Sequence, residues 1–312
     1  MAGLELAFVE WLESQQKSRP EVLLGIGDDM AMLKLNKSSG RLLISSDMLL
    51  DDVHFETSRQ NLSAIGRKAV ACSLSDCAAM AVRPLAAVVS VAFPADWSLA
   101  QAQELFRGMF AIASDFDLAI VGGDTASWDN GLALDVSILA TPYEGIEPIR
   151  RSGARLGDDL YVTGPLGGSL LGRHLTFTPR VREARILAET LGPRLHAMMD
   201  ISDGLSLDLW RMCQASDVGA TIDGTLLAAV VSEDALRAAN GDLSAAMERA
   251  LSDGEDFELL VAVEPRGGAG ETKPESHPDA PLIRIGAIEA ANLCLRQRDG
   301  TRVELQPQGY VH

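Results

Sequence analysis

Residues 63–93 read SAIGRKAVACSLSDCAAMAVRPLAAVVSVAF, a helix of small residues followed at once by a strand. Ser63 can cap this helix, which is predicted over about 64–80 and ends before Pro84 because proline cannot continue a helix. Residues 85–93 form an apolar run rich in valine, which is typical of a buried strand. The unit predicts that helices and strands alternate along the chain.

The same alternation continues on both sides of this unit. In the first half, strands are predicted at 41–48, 53–55, 132–140 and up to the Gly122-Gly123 turn, with a helix at about 99–116. A connection rich in Pro, Gly and charge follows at 141–159. In the second half, strands are predicted near 160–163, 257–263 and 282–288, and helices near 180–191, 204–214 and 243–251. The order of elements predicts an α/β (α+β-like) protein with two domains, residues 1–146 and 147–312.

Composition excludes several classes of protein. The 312 residues carry a formal net charge of −17, which argues against a nucleic-acid partner, since phosphate binding requires an excess of Lys and Arg. No apolar run approaches the length of about 20 residues that a membrane helix needs, so no membrane association is expected. The N-terminus is acidic and does not resemble a secretory signal. The four cysteines show no metal-type spacing, and a reducing, cytoplasmic location is expected.

Aspartates recur in short blocks at the ends of the predicted elements. The blocks are Gly27-Asp28-Asp29, Ser45-Ser46-Asp47, Ser75-Asp76, Gly122-Gly123-Asp124-Thr125, Asp200-Ile201-Ser202-Asp203-Gly204 and Asp253-Gly254-Glu255-Asp256. Any one of them can be a simple turn, because Asp and Gly tolerate unusual backbone angles. Asp76 and Asp124, however, lie next to apolar residues, where turn chemistry does not call for an acid. Collected carboxylates repel one another, and Mg²⁺ removes that repulsion while it bridges to phosphates. The blocks therefore predict a metal–nucleotide site.

The chain lacks the lysine loop of common nucleotide-binding proteins. Residues 164–168 are rich in glycine but no lysine follows, so they are interpreted as a turn between a strand and a helix. A triphosphate would have to be neutralised in another way, and several Mg²⁺ ions held by aspartates would do so.

The blocks resemble those of the thiamine-monophosphate kinase family, in the same order over nearly the whole chain. The matching segments include those six acidic blocks, Val53-His54-Phe55, 68–80, Arg151-Ser152-Gly153-Ala154 and the terminal Gly309-Tyr310-Val311-His312. The wider superfamily contains aminoimidazole ribonucleotide synthetase, selenophosphate synthetase and a hydrogenase maturation factor, all of which use ATP. The resemblance implies two α/β domains, with the first pairing its sheet across a homodimer.

The resemblance also implies roles for individual residues. Magnesium ligands are implied at Asp29, Ser45, Ser46, Asp47, Asp76, Asp124, Asp200 and Asp203. ATP contacts are implied at Ser45, Phe106, Gly123, Asp124, Arg151 and Ser202, and contacts to thiamine monophosphate at His54, Glu255 and Tyr310. Two interpretations stay open for Phe106, which could pack on adenine or belong to the core. His54 likewise could bind the substrate phosphate or serve as a structural hydrogen bonder.

The implied reaction moves the γ-phosphoryl group of ATP to a phosphate oxygen of thiamine monophosphate. The acceptor is already anionic, so positioning and charge neutralisation suffice and no catalytic base is singled out. Four positions depart from the family pattern: Ser46 stands where Thr is often found, which keeps the hydroxyl, Ser73 where Asn is common, Asp253 where Gly is usual, and Pro307 where Trp is frequent. Pro307 leaves the aromatic partner of thiamine unassigned.

Two other functions stay open at the level of sequence. One is another ATP-dependent synthetase or maturation enzyme of the superfamily. The expected reactive N-terminal cysteine of selenophosphate synthetases is absent, since the earliest cysteine is Cys72 within a predicted helix. The other is a catalytically degenerate, magnesium-dependent nucleotide-binding protein. Turnover of ATP with a thiamine phosphate discriminates between the three functions.

Overall fold

A computed structural model describes residues 20, 22–25, 27–35, 40–266 and 277–309. The strands are β1 (Val22–Leu24), β2 (Ala31–Lys34), β3 (Arg41–Leu50), β4 (Val82–Pro94), β5 (Ala119–Trp128), β6 (Ala133–Pro142), β7 (Asp159–Val162), β8 (Leu195–Asp200), β9 (Gly219–Asp223), β10 (Leu259–Val263), β11 (Ile283–Glu289), β12 (Leu293–Arg296) and β13 (Arg302–Glu304). The α-helices are α1 (Leu62–Ala79), α2 (Leu99–Asp115), α3 (Val181–Leu191), α4 (Leu205–Ser216), α5 (Gly224–Val230), α6 (Glu233–Ala238) and α7 (Leu243–Ser252). Among these described helices, none combines the length and the apolar character that crossing a bilayer requires.

The N-terminal sheet has six strands in the order β1-β2-β3-β6-β4-β5. Among the described strands of this sheet, only the β4–β5 pair is parallel, and β5 has a neighbour on one side only. Helices α1 and α2 cover one face of the sheet. The two helices approach closely because Gly66 and Gly108 lie at their crossing. A Cβ at Gly66 would lie 2.0 Å from the Leu105 carbonyl oxygen, and one at Gly108 would lie 1.8 Å from that of Ser63.

The C-terminal sheet has seven strands in the order β13-β12-β9-β11-β7-β10-β8. Strand β10 shows how the period-two alternation of a strand builds two cores. Leu259, Val261 and Val263 belong to the core that continues into α3 and α1, whereas Leu260 and Ala262 belong to the core formed with α4, α5 and α7. The C-terminal sheet therefore packs against the N-terminal domain through α3 and α1.

The predicted two-domain arrangement with mixed helices and strands is confirmed, and both sheets are mostly antiparallel. The boundary at 146–147 stays a prediction; it falls between β6 and β7. Three local predictions were wrong. Residues 53–55 form a turn after β3, the cap of α1 is Asn61 instead of Ser63, and β5 continues past the Gly122-Gly123 pair. The continuation follows from parallel pairing with β4, which only tertiary structure supplies.

Candidate active site

Three aspartates from distant parts of the chain meet between the two domains. Asp29 precedes β2, Asp76 lies in the last turn of α1, and Asp200 ends β8. One carboxylate oxygen from each lies within 4.8 Å of the other two. The cluster joins the first, third and fifth acidic blocks of the sequence and provides only oxygen atoms.

The acids of this cluster repel one another, and burial further disfavours their ionised forms. Burial, and then the charges of Asp47 and Asp200, raise the pKa of Asp76 well above its usual range. Burial, and then the charge of Asp29, raise the pKa of Asp200 in the same direction. Desolvation and like charge both disfavour the ionised carboxyl, so the site is unstable as a set of bare anions.

Helix α1 supplies hydroxyl donors to one acid of the cluster, Asp200, and to the neighbouring Asp47. Ser75 Oγ donates to Asp200 Oδ2 at 2.5 Å, and Ser73 Oγ donates to Asp47 Oδ2 at 2.6 Å. Ser73, which departs from the family pattern, therefore still serves as a donor. Ser45 faces the same side of β3 as Asp47, and its buried hydroxyl makes no hydrogen bond to any described residue.

A cavity of about 220 Å³ adjoins the acids. Its lining is Asp47, Met48, Leu49, His54, Cys72, Ser202, Asp203, Glu255 and Phe257. Burial raises the pKa of Asp47 to about 6; the bond from Ser73 opposes this shift, and the charges of Asp135 and Asp29 add to it. The cavity thus collects groups from β3, α1 and three loops of both domains.

Two predicted ligands lie on the opposite face of the N-terminal sheet. Ser46 follows Ser45 on β3, so its side chain points to the face of the sheet away from α1. On that face its hydroxyl bonds to Asp135 at 2.9 Å and to Ser137 at 2.7 Å. Asp124 is exposed on β5 and pairs in register with Ser90, which in turn lies opposite Asp135. A single chain therefore does not bring Ser46 and Asp124 to the three-acid cluster.

Gly123 and Phe106 each have a structural explanation. Gly123 adopts φ +154°, and a Cβ there would lie 1.8 Å from the Val89 carbonyl oxygen, so the β4–β5 pairing itself requires glycine. Phe106 lies on α2, partly buried against the N-terminal core, with its ring 6.0 Å from that of Phe110. The position of Phe106 favours the core interpretation that the sequence left open.

Arg151, Ser202 and Asp203 lie around the acids. Arg151 donates from Nη2 to Asp29 Oδ1 at 2.7 Å, so a partly buried cation already contacts the cluster. Asp203 faces the cavity and pairs with Arg211, which also bonds to Asp208 at 2.9 Å. Ser202 lies in the loop after β8, and its carbonyl accepts from the Glu255 N–H at 2.6 Å.

The ring of His54 is oriented by the backbone. His54 Nδ1 accepts a hydrogen bond from the Leu50 N–H at 3.0 Å. The proton of the neutral ring therefore resides on Nε2, which makes that nitrogen a donor. His54 lines the cavity, so this ring can donate to an anionic oxygen but is unsuited to accept a proton there.

Glu255 is held by two basic side chains that the sequence interpretation did not single out. Lys68 Nζ lies 2.7 Å from both carboxylate oxygens of Glu255, and His174 Nδ1 lies 2.9 Å from Oε2. Burial opposes ionisation, but the bond from His174 and the charge of Lys68 outweigh it, so the pKa of Glu255 falls below its usual value. Glu255 is therefore a buried carboxylate, already neutralised within the protein.

The residues present fit a hard divalent cation. Asp29 Oδ2 is buried and makes no hydrogen bond to any described residue, although its surroundings are polar. A buried acceptor without a donor costs free energy, and a cation among three carboxylates removes that cost. Asp29, Asp76 and Asp200 could hold Mg²⁺ together.

A signal in the sequence could have pointed to Lys68 and Ser75. One face of helix α1 carries residues spaced three to four apart, namely Lys68, Cys72, Ser75 and Asp76. A lysine and an acid on one face of a helix of small residues are costly to bury unless they face partners. Tyr310, which was predicted to contact the substrate, lies outside the described residues.

Family profiles and curated relatives agree over most of the chain. Residues 27–141 match the family described as AIR synthase related protein, N-terminal domain, and residues 153–271 match its C-terminal domain. A protein of Rhodopirellula baltica named thiamine-monophosphate kinase is 38% identical over 316 residues, which covers 99% of this chain and 97% of that protein. The Escherichia coli K12 protein of the same name is 31% identical over 329 residues, with 97% and 95% coverage.

Solved structures give the same result for the fold. The thiamine monophosphate kinase of Aquifex aeolicus superposes with a TM-score of 0.77 at 25% identity and covers 96% of this chain and 99% of that one. A structure described as AaThiL complexed with AMPPCP and TMP superposes with a TM-score of 0.82 at 25% identity and covers 99% and 96% of the two chains.

Proposed function

The chain belongs to the thiamine-monophosphate kinase family, and we propose that it transfers the γ-phosphoryl group of ATP to thiamine monophosphate, giving thiamine diphosphate and ADP. The observation that carries the proposal is the cluster of Asp29, Asp76 and Asp200 beside a cavity that His54 lines. An acid cluster serves to hold cations, and an adjoining imidazole donor suits an anionic acceptor.

Asp29, Asp76 and Asp200 would hold magnesium, with Asp47, Ser45 and Asp203 nearby as further oxygen donors. Bound Mg²⁺ would offset the negative charge of the ATP phosphates and of the acceptor phosphate. Arg151 already lies against Asp29 and is suited to contact a phosphate of ATP, together with the loop that contains Ser202.

The remaining groups of the cavity bind and orient the acceptor. His54 would donate from Nε2 to the phosphate of thiamine monophosphate, since Nδ1 is occupied by the backbone. Glu255 would accept from the substrate's ring system. The attacking phosphate oxygen is anionic, so the transfer needs alignment and charge neutralisation and no proton acceptor. We therefore propose direct in-line transfer.

A second copy of the chain would complete the N-terminal domain. Strand β5 leaves ten residues at an open edge, and the sheet face opposite α1 exposes Met48 at 63% and Val121 at 64%. A long, exposed apolar edge strand invites pairing with another strand. A homodimer built on this face would also place partner groups next to Asp124 and Ser46, which one chain leaves away from the acid cluster. The four free cysteines accord with a cytoplasmic location.

Incubation with ATP, Mg²⁺ and thiamine monophosphate tests the function. Chromatography should show thiamine diphosphate and ADP appearing in equal amounts, and the Asp76→Asn variant should form neither at a comparable rate. ADP formation without thiamine diphosphate, or no ADP at all from folded protein, would contradict the proposal.

A further inference from the structure

Lys68 is a fully buried cation at the centre of the contact between the domains. Its side chain on α1 is 0% exposed. Its ammonium group lies 2.5 Å from the His54 carbonyl oxygen, 2.7 Å from both oxygens of Glu255 and 2.9 Å from His174 Nδ1. The ammonium group carries three N–H donors, and the His54 carbonyl and the two carboxylate oxygens of Glu255 accept all three. The third partner, His174, lies against the ammonium group and donates its own Nδ1–H to Glu255 Oε2.

The three partners come from separate segments. His54 follows β3 in the N-terminal domain, His174 lies in the short 3₁₀ helix Arg173–Leu175, and Glu255 precedes β10. Two of these residues, His54 and Glu255, line the cavity, whereas Lys68 does not. Lys68 therefore acts on the cavity only through the residues that it binds.

The backbone around Glu255 needs such an anchor. Glu255 and Phe257 have φ values of 53° and 50°, and the preceding Gly254 has 73°. Residues other than glycine adopt this left-handed conformation at a cost, so surrounding contacts must hold it. The bonds from Lys68 fix the carboxylate of Glu255, and with it the direction in which the residue faces the cavity.

We propose that Lys68 is a positioning residue for the phosphate acceptor, which sets the spacing between His54 and Glu255 and so determines affinity for thiamine monophosphate without touching it. The proposal rests on the proposed function of the cavity. Lys68 cancels the charge of Glu255. The Glu255 carboxylate can therefore accept a hydrogen bond from the substrate, but it does not serve as a counter-ion to a positive charge on it. The group it would take is an N–H donor, such as an amine on a heteroaromatic ring.

Substitution at Lys68 alone would leave Glu255 buried without a counter-ion, which is strongly destabilising. Glu255→Gln alone likewise leaves the Lys68 ammonium buried without its counter-ion, so Glu255→Gln and the double variant Lys68→Met/Glu255→Gln, neither of which contains a buried carboxylate at position 255, are compared at a temperature at which their melting curves show both to be folded. The matched control is Arg284→Met, which breaks another ion pair of the C-terminal domain, that with Asp159 at 2.6 Å, outside the cavity. Melting temperature and the KM for each substrate are measured for all variants.

We expect the double variant to have a KM for thiamine monophosphate about tenfold or more above that of Glu255→Gln, a loss of about 1.4 kcal/mol. The KM for ATP should stay within about twofold, and Arg284→Met should lower the melting temperature without moving either KM. Equal KM values for thiamine monophosphate in the double variant and Glu255→Gln would overturn the proposal. So would a parallel rise in the KM values of both substrates, which indicates general loss of structure.

The failure of the proposed function is distinguishable from failure of this inference. If the wild-type protein binds thiamine monophosphate but forms no diphosphate, the kinase assignment is wrong. Calorimetric titration of thiamine monophosphate into the same variants then tests Lys68 by itself. Unchanged binding in the double variant relative to Glu255→Gln would overturn the positioning role.

Discussion

Ser75→Ala should weaken magnesium binding without removing a ligand. Ser75 Oγ donates to Asp200 Oδ2 at 2.5 Å, and the two residues are 1% and 4% exposed. A hydrogen bond to a charged group contributes about 1.5–3 kcal/mol, and loss of an outer partner of a metal ligand costs about 10–100-fold in metal affinity. The two ranges agree, since 1.4 kcal/mol is a factor of ten.

The direction of the pH effect follows from Asp200. Burial raises its pKa and the bond from Ser75 lowers it, so the alanine variant should have a higher pKa still. A proton then competes better with Mg²⁺ for the same oxygen atoms. The deficit in magnesium affinity should therefore be largest at low pH and should shrink as the pH rises.

The assay is a titration of free Mg²⁺ at saturating ATP and thiamine monophosphate, followed by release of ADP. The half-saturating concentration should rise about 10–100-fold while kcat at saturating Mg²⁺ stays within a few-fold of wild type. Thr221→Val is the control, because it removes a hydroxyl that Arg302 contacts at 2.6 Å in the C-terminal sheet. An unchanged magnesium dependence, or a loss of kcat that Mg²⁺ does not restore, would refute the reasoning.

Four further outcomes are expected. Asp76→Asn should abolish most turnover, and in EDTA its melting temperature should exceed that of wild type by a margin that grows with pH. The pKa of Asp76 is raised in the folded state, so the wild-type protein loses stability as the pH rises and this carboxyl ionises, whereas Asn cannot ionise; a margin independent of pH would contradict this. Mg²⁺ with a non-hydrolysable ATP analogue, at about a hundredfold excess over the dissociation constant, should add about 2.7 kcal/mol to the free energy of unfolding, and no shift at proven saturation would count against the cleft. ATP chiral at the γ-phosphorus should yield thiamine diphosphate with inverted configuration, whereas net retention would require a phosphorylated intermediate. Val121→Asp on the β5 edge should give monomers by light scattering, while an unchanged mass would exclude this face as the dimer contact.

Sequence reasoning identified the acids but not their surroundings. Asp76 is recognisable because an acid next to apolar residues is costly without a cation, whereas Asp29 and Asp200 are implied by the family resemblance; the structure brings these three together. Lys68 and His174 were not recognised, because their partner Glu255 is distant in sequence and no local pattern records the pairing. Long-range ion pairs depend on how the domains pack, which the periodicity of one element does not encode.

Helices and strands, too, were predicted correctly where local sequence signals mark them and missed where long-range pairing decides them. Helix α1 and strand β4 were predicted to within a few residues because their composition and Pro84 punctuate them locally. The extension of β5 beyond Gly123 was missed because a glycine pair normally ends a strand, whereas here β4 continues to pair with it. The predicted strand at 41–48 already places Ser46 on the face opposite Ser45 and Asp47, but which of the two faces meets α1 depends on how the helix packs on the sheet.

Helix α1 belongs to the N-terminal half by sequence, yet two of its polar side chains have carboxylate partners in the C-terminal half: Lys68 pairs with Glu255, and Ser75 donates to Asp200. When domains are exchanged between relatives, the segments that must come from one parent therefore lie on both sides of the linker between β6 and β7. A chimera joined between β6 and β7 would pair one parent's ammonium and hydroxyl groups with acids that the other parent placed for its own helix. Recombination that keeps α1 together with the loops after β8 and before β10 should yield active hybrids more often than recombination at the linker.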